Sequence, residues 1–519
     1  MNKSLGVAAT VVVLAGGGWV GASYWSGVQA ERWYQQSLAE VAGETGITLN
    51  TLRYTRGLFS SEVVTQVLVA APAGSETGMP DSSFSVRQQI YHGPLPLAAW
   101  AGVPGAAWAP GAAVVRTTLQ TDEQSWTGHL ARWYGGQEPL VALSRVGFDG
   151  SSVTEVSMPP LQRDQIEELK KLDFSGLQGH FEAAAQNTAV KGTLTVERLS
   201  FTAPATAEGQ AAPGDVQFAL RGLSSRVDQR KGAFNLMFGE SGLRVDEIRL
   251  QEPGEAAPLV LTGLDMVGDL QPQDAKQVSG GLRVTAGKIS LGQKSGTGSL
   301  RVALRNIDGA TAEQLQQWQR KLAQKPDDPA LPEEGLGLLR ALLEGNPVFS
   351  LDTEARLDAG EWRGNLTLNF QNPGELDPMQ GPLGLLDALA KGTAEIAASQ
   401  GLVETVLTDM GVDEIKAQAA IEGTTPSETA LHDLAVQQTQ QQLQGLTATG
   451  YLRLDAGQYK ATARFEGGKL FVNGQEIPLL SAADAEAGTA EQLLNEDEAA
   501  PGAEEPAPAP TAPAQNRKK

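Results

Sequence analysis

The chain has 519 residues, of which 41% are hydrophobic, and a formal net charge of −21. The length exceeds one ordinary hydrophobic core and predicts two to four lobes. The acidic balance argues against a body that tracks nucleic-acid phosphates, because such a body needs an excess of Lys and Arg. The chain has no cysteine, which excludes disulfides, thiolate catalysis and Cys-ligated metal sites.

The N-terminal segment predicts a membrane anchor. No charged residue occurs between Lys3 and Glu31, and the apolar centre covers residues 5–22. As a helix this centre would rise about 27 Å, close to the hydrocarbon thickness of a bilayer. Because Lys3 precedes the segment, the positive-inside rule places the first residues in the cytoplasm and the remainder outside. The predicted membrane-anchor residues are Leu5, Val11, Val12, Val13, Leu14, Trp19 and Val20.

Two interpretations of this segment stay open at the sequence level. Val28, Gln29 and Ala30 resemble a small-x-small peptidase site, so residues 1–30 could be a cleaved signal peptide. The apolar run is longer than a usual signal core and lies well upstream of Ala30, which favours an uncleaved anchor. A buried helix of a soluble protein is the least favoured, because the uncharged run is terminal and follows a lysine.

The region after the anchor mixes helical and strand patterns. We predict helices over residues 28–42 and 161–174 and strands over 47–49 and 63–69, with a loop at 71–80.

From residue 191 onward, alternation of apolar and polar residues predominates. Residues 193–201, 243–250 and 282–291 each begin as apolar/polar alternation, shift phase, and then resume it. A bulge or tight turn within each strand would explain the shift. The remaining predicted strands, which share one wet face, cover residues 300–304, 349–357, 362–370, 447–454 and 459–465.

Helical patterns interrupt the predicted sheet, and the chain ends in an acidic Ala/Pro segment. A helix over residues 312–325 begins behind Thr311 as its cap, and others cover 335–343, 382–389 and 427–443. The acidic tail is too poor in large apolar residues to fold and is predicted to be disordered.

The predicted fold class is α+β. An N-terminal transmembrane helix or signal anchor precedes a large antiparallel β-rich body with covering helices. Four parts follow: the anchor or signal segment (1–30), an N-terminal α+β part of the body (31–190), a β-rich C-terminal part (191–481) and the tail (482–519).

No motif in the sequence carries recognisable chemistry. None of the four histidines has another three to five residues away, and no phosphate loop or nucleophile elbow occurs. We therefore assign no catalytic, cofactor-binding or metal-binding residue. His92, Gly93 and Pro94 form the clearest local motif. We interpret it as a strand ending in a rigid turn rather than as a catalytic site, because His92 has no catalytic partner nearby in sequence.

Several short motifs, in this order along the chain, resemble the YdgA family of bacterial envelope proteins, a family of unknown function. They follow the uncharged N-terminal segment, as residues 54–61, 92–96, 468–474 and 477–479. The family-motif residues, interpreted as structural, are Tyr54, Arg56, Gly57, His92, Gly93, Pro94, Asn473, Gly474 and Pro478. The resemblance implies an inner-membrane protein with a periplasmic body and no established enzymatic activity, so it transfers no catalytic residue.

These observations lead to one functional expectation with two alternatives. We expect a non-catalytic protein, without a cofactor, anchored in the bacterial inner membrane and presenting an apolar groove to lipid or other apolar envelope material. The first alternative is a structural or assembly partner of other envelope proteins, as a homo-oligomer. A hydrolase of envelope polymers is the least supported alternative.

Overall fold

The fold is described by a computed structural model for residues 23, 26–28, 30–32, 34–35, 47–69, 82–121, 125–166, 169–207, 210–255, 257–291, 294–324, 328–372, 374, 388–421 and 426–477. The predicted membrane-anchor residues, the loop at 71–80, most of the helix at 382–389, Pro478 and the tail lie outside the described residues. Within these ranges, no helix combines the length and apolarity needed to cross a bilayer.

Twenty-two strands are described. They are β1 (Ile47–Arg56), β2 (Ser60–Val69), β3 (Ser82–His92), β4 (Ala113–Gln120), β5 (Val141–Val146), β6 (Ser152–Met158), β7 (Leu161–Ile166), β8 (Leu169–Phe174), β9 (Leu177–Ala183), β10 (Ala189–Ala207), β11 (Gln210–Lys231), β12 (Met237–Gln251), β13 (Leu259–Pro272), β14 (Gln277–Leu291), β15 (Lys294–Asp308), β16 (Val348–Leu357), β17 (Gly360–Phe370), β18 (Leu389–Ser399), β19 (Arg453–Asp455), β20 (Gln458–Glu466), β21 (Lys469–Val472) and β22 (Gln475–Ile477).

Five α-helices with defined bounds accompany the strands. They are α1 (Trp126–Trp133), α2 (Gly309–Gln324), α3 (Leu331–Glu344), α4 (Gln400–Ile421) and α5 (Glu428–Ala448). Residues 23, 26–28, 30–32 and 34–35 are also helical, which agrees with the first part of the helix predicted over 28–42. We refer to them as the N-terminal helix.

All described strands belong to one antiparallel sheet in which most strands pair with their neighbours in sequence. The order β1 to β6 continues through β9 and β10, because β6 pairs with β9. The β7–β8 hairpin continues β6 and β9 end to end, because β9 pairs with the first half of β10 and β8 with the second half. From β10 to β18 every strand pairs with the next, and β20 follows β18. The sheet is continuous across residue 190, which lies within β10.

The predicted strands from residue 191 onward are confirmed, with one exception, and they are longer than predicted. Their phase shifts coincide with skipped positions in the ladder. Three pairs of residues lie opposite each other in the ladder but do not pair: Glu197 and Gly222, Asp246 and Gly263, and Gly263 and Gly287. Gly222 and Gly263 have φ of +63° and +64°, a conformation that glycine adopts without steric cost. The irregularity explains how apolar alternation resumes beyond it.

Two predicted elements are wrong. Residues 161–174 form the β7–β8 hairpin instead of a helix, because β8 pairs with β10 and this tertiary pairing overrides the local helix propensity. Residues 447–454 are mostly the end of α5 and a turn, and only the short β19 begins there. In addition, the helices α1 and α4 and the strands β4 to β6, β9, β11, β13, β18, β21 and β22 have no counterpart among the predicted elements.

The helices pack at the ends of strands more than over a face. α2 contacts β14 and β15, whereas α4 contacts β17, β18 and β20. The predicted α2 is confirmed, but its cap is Asp308, whose carboxylate accepts hydrogen bonds from the Thr311 backbone N–H and hydroxyl. The hydroxyl of Ser427 caps α5 by accepting from the Ala430 N–H.

The buried cores are small and lie away from the middle of the sheet. One, around Tyr34, Val63 and Ile90, joins the N-terminal helix to β2–β5. A second, around Ala98 and Leu143, joins the loop after β3 to the opposite face of β4 and β5. A third, around Val278, lies where β12, β14 and β15 meet α2 and α3. No comparable buried cluster occurs in the middle of strands β13–β17 among the described residues.

Candidate functional site

One face of the sheet is apolar across β10 to β20. Residues directly opposite each other in a ladder share a face, so the register identifies the members. One row crosses the strands through Leu282, Val302, Leu351 and Leu366. Neighbouring rows add Leu, Val, Ile, Met and Phe at alternate positions, and we call this surface the apolar face. Its further members include Leu220, Leu243, Ile248, Leu261, Met266, Val284, Ile289, Leu300, Phe349 and Leu368.

The opposite face of the same strands is charged. Arg283 pairs with Arg301, which pairs with Asp352, and the row continues through Asn365 to Glu395. Exposed charged side chains recur on neighbouring rows, where Glu354 lies opposite Arg363 and Arg356 opposite Glu361. The predicted alternation between a polar and an apolar side of these strands is therefore confirmed.

The apolar face keeps contact with solvent along its middle. Its members on β13 to β17 are half-buried or exposed. Leu259, Leu282 and Ile289 are each 40% exposed. Soluble proteins rarely leave an apolar surface of this extent open, and such surfaces mark binding sites for apolar partners. Strands are about 4.8 Å apart. The nine steps from β10 to β20 therefore span roughly 43 Å.

The N-terminal helix lies on this same face, at the other end of the sheet. The row that contains Leu282 continues through Val227, Phe181 and Ser144 to Ile90. Ile90 belongs to the core cluster that includes Tyr34 of the helix. The helix thus covers the first strands of a surface whose middle is open.

The motif His92–Gly93 holds the start of the N-terminal helix. His92 is 1% exposed, and its Nδ1 lies 2.9 Å from the carbonyl oxygen of Ser23. Its Nε2 lies 3.2 Å from the hydroxyl oxygen of Ser61. Because a carbonyl oxygen only accepts, Nδ1 donates, and Nε2 of the neutral ring accepts from Ser61. A Cβ at Gly27 would lie 2.7 Å from the His92 ring, and one at Gly93 would lie 2.5 Å from the Ser23 hydroxyl.

The motif around Tyr54 and Arg56 holds the next turns of the same helix. Arg56 Nη1 donates to a carboxylate oxygen of Glu31 at 2.9 Å. The rings of Tyr34 and Tyr54 have centroids 6.0 Å apart, and the hydroxyls of Tyr34 and Thr65 are hydrogen-bonded. Gly57 forms the turn after β1, where its N–H donates to the Ser60 carbonyl. We use the name clasp for the contacts that His92, Gly93 and Arg56 make with the N-terminal helix.

Burial shifts the pKa of three titratable side chains in or beside the clasp. Burial lowers the pKa of the His92 imidazole below its usual 6.5, which favours the neutral ring. The two ring nitrogens are engaged by Ser23 and Ser61, and burial raises the pKa of Tyr34 and of Tyr54. The interpretation of His92 as part of a strand end is consistent with this geometry.

The C-terminal motif residues also support local structure. Asn473, with φ of +49°, and Gly474, with φ of +85°, form the turn between β21 and β22. The Asn473 side chain accepts from the Thr462 N–H and donates to the carbonyls of Gly450 and Tyr451. It therefore ties β20 to the segment that follows α5. The third motif residue, Pro478, lies outside the described residues.

The other histidines are dispersed. His180, on the charged side of β9, contacts Glu155 at 2.8 Å and Glu182 at 3.2 Å, and these carboxylates raise its pKa. His129 lies in α1 and His432 in α5. No group of three or more metal-ligating side chains is found within the part of the chain that the structure describes.

Comparison with known proteins places the chain in a family. The family model described as "Bacterial protein of unknown function (DUF945)" matches residues 1–480. The chain belongs to the DUF945 family. Protein YdgA of Escherichia coli (strain K12), a similar protein, is 26% identical over 508 residues, which cover 92% of this chain and 95% of that protein. The resemblance drawn from the sequence motifs is confirmed, and the tail after residue 480 lies beyond the DUF945 match. No solved structure matches the chain.

Proposed function

We propose that the protein is a non-catalytic envelope protein that binds lipid acyl chains along the apolar face. The observation that carries this proposal is the register, which places apolar side chains opposite one another from β10 to β20 while their charged neighbours lie on the other face. Removing apolar surface from water stabilises a complex by about 0.8 kcal/mol for each buried methylene group. An acyl chain supplies many such groups and needs no specific hydrogen-bonding partner.

We also propose that residues 5–22 anchor the protein in the inner membrane and that the body lies in the periplasm. The uncharged span and the preceding Lys3 support this location. The clasp supports retention of the segment, because cleavage after Ala30 would remove Ser23 and Gly27 and with them their contacts to His92 and Gly93.

Site-specific photocrosslinking tests acyl-chain binding with a matched pair of positions. Leu282 lies on the apolar face, and its neighbour Arg283 lies on the charged face of the same strand. A benzophenone amino acid at position 282, irradiated in cells, should give adducts with the mass of membrane lipids. The same group at position 283 should not.

The alternatives give different products in this experiment. A protein-sized adduct at position 282 would favour an assembly partner, or a second copy of the chain if the adduct has the mass of a dimer. Equal lipid labelling at positions 282 and 283 would reject a binding surface confined to the apolar face.

A further inference from the structure

Exposed apolar side chains gather at one end of strands β1 to β6. Trp100 is 76% exposed, Phe148 68% and Trp108 64%, and Leu58 and Leu95 are also exposed. They come from three separate connections, namely the turn after β1, the loop after β3 and the turn after β5. We call this set the aromatic rim.

The ladder places all three connections at the same end of the sheet. The N–H of His92, at the end of β3, donates to the carbonyl of Phe59 in the turn after β1. The N–H of Ala112, at the end of the loop after β3, donates to the carbonyl of Val146, where the turn after β5 begins. The loop after β3 is itself well formed. Its Ala98 and Val103 are buried against β4 and β5, and the N–H of Val103 donates to the Ala98 carbonyl at 3.0 Å.

Composition sets the loop after β3 apart from an ordinary surface loop. No charged residue occurs between His92 and Arg116, and the rings of Trp100 and Trp108 lie 6.4 Å apart. Near the rim, Arg56 is paired with Glu31, and the Asp149 carboxylate accepts hydrogen bonds from the Ser151 N–H and hydroxyl. Large aromatic side chains on an uncharged loop, such as Trp100 and Trp108, are typical of the membrane–water boundary.

The position of the N-terminal helix indicates that the partner of the aromatic rim is the lipid bilayer. Ser23 follows directly after the predicted membrane span, which ends at Ala22. Ser23 contacts His92 and packs against Gly93, where the loop after β3 begins. The chain would therefore leave the bilayer beside the aromatic rim.

We propose that the aromatic rim is a membrane-contact surface, in which Trp100, Trp108 and Phe148 insert into the interfacial layer of the bilayer that holds the anchor. This inference rests on the proposed inner-membrane location. Together with the anchor, the contact fixes the tilt of the sheet, because one segment alone leaves the body free to rotate about its exit point. The apolar face then starts at the membrane and continues away from it.

Spin labelling tests the contact on the full chain, which has no native cysteine. Trp100→Cys and Phe148→Cys each give one labelling site at the rim. Trp126→Cys is the matched control, because Trp126 is also exposed but lies in α1, at the opposite end of β4 and β5. Each nitroxide-labelled protein is reconstituted into vesicles of phosphatidylethanolamine and phosphatidylglycerol, and its accessibility to oxygen and to a water-soluble nickel chelate is measured.

We expect the ratio of oxygen to nickel accessibility to be several-fold higher at positions 100 and 148 than at position 126. Equal ratios at the three positions, or labels at the rim shielded from both reagents as in a protein contact, would overturn the inference. Flotation of the vesicles distinguishes failure of the rim proposal from failure of the proposed membrane anchoring. Protein that does not float with lipid contradicts the proposed location, whereas protein that floats with a water-exposed label at position 100 contradicts the rim alone.

Discussion

The imidazole Nδ1 of His92 donates a hydrogen bond to the backbone carbonyl of Ser23, 2.9 Å away and 69 residues earlier in the chain. This contact joins the end of β3 to the start of the N-terminal helix. It also explains why a buried histidine occurs in a strand end without a carboxylate partner among its hydrogen bonds. The ring bridges one acceptor, the Ser23 carbonyl, and one donor, the Ser61 hydroxyl, and a hydrophobic residue could pair with neither.

Stability should depend on pH through His92. Burial lowers the pKa of His92 in the folded state, so below about 6.5 the unfolded chain binds the proton more readily and stability falls. We expect the melting temperature to decline from pH 7.5 to pH 5.5, and His92→Gln to make that decline shallower. The difference between the melting-temperature profiles of the unmodified protein and of His92→Gln isolates the contribution of His92, because the carboxylates titrate in both proteins.

His180 provides a control of opposite sign. Its carboxylate contacts raise its pKa, so its stabilising contribution is present at low pH and is lost as pH rises through the folded-state pKa. His180→Gln should therefore leave the acid-side decline in place or make it steeper. If His180→Gln and His92→Gln flatten the profile equally, the assignment to His92 is wrong.

Gly93 should tolerate a side chain less well than Gly102. Both have positive φ, +124° and +74° respectively. A Cβ at Gly93 would meet Ser23, whereas nothing lies within 4 Å of one at Gly102. Gly102→Ala should lower the free energy of unfolding by about 1–2 kcal/mol through backbone strain alone. Gly93→Ala should lower it by roughly 1 kcal/mol more, because the added methyl group overlaps the Ser23 side chain, and denaturant unfolding measures both losses. Equal losses would show that the Ser23 contact contributes nothing.

Lipid binding should depend on the apolar face and not on the face behind it. Leu282→Gln removes apolar contact from a surface position and should reduce co-purifying lipid roughly fivefold, which corresponds to about 1 kcal/mol. Arg283→Gln makes a matched polar change on the opposite face and should leave lipid content unchanged. Lipid is quantified by mass spectrometry of the purified protein. The proposed surface is incorrect if Arg283→Gln removes as much lipid as Leu282→Gln.

The orientation of the chain can be measured directly. An alkaline phosphatase fused after Lys519 should be active, because the enzyme folds only outside the cytoplasm and the uncharged span is long enough to cross. A green fluorescent protein at the same position, exported in the unfolded state, should be dark. The reverse pattern would place the body in the cytoplasm. The intact mass of the mature protein then distinguishes an uncleaved anchor from loss of residues 1–30.

Alternation predicted most of the long strands after residue 191, because β strands with one polar and one apolar side carry that period directly in their sequence. It failed at residues 161–174, where Glu and Lys raise helix propensity. There the decisive contact is the pairing of Phe174 with Leu199, which no local pattern records. The α4 helix was missed because its apolar residues do not collect on one side, as expected for a helix that packs against both α5 and the sheet.

The candidate site was only partly visible in the sequence. The motif residues were identified, but their convergence on one helix was not, since Glu31 and Arg56 are 25 residues apart and Ser23 and His92 are 69 apart. The extent of the apolar face required the register, because alternation shows that a strand has an apolar side but not that successive strands align theirs. The uncharged stretch between His92 and Arg116, with its two tryptophans, is a signal that could have located the aromatic rim.

If the body is exported as proposed, the pairing of neighbours in sequence also determines how the molecule can form on its way out. A strand that emerges from a secretion channel needs, in most cases, only the strand that emerged before it, so the sheet can grow from β1 without waiting for the C-terminus. The clasp would come first, because the N-terminal helix and β1 to β5 leave the channel before everything else. Each newly added strand would find a template already tethered beside the membrane, which shortens the time that unpaired strand edges stay open to aggregation.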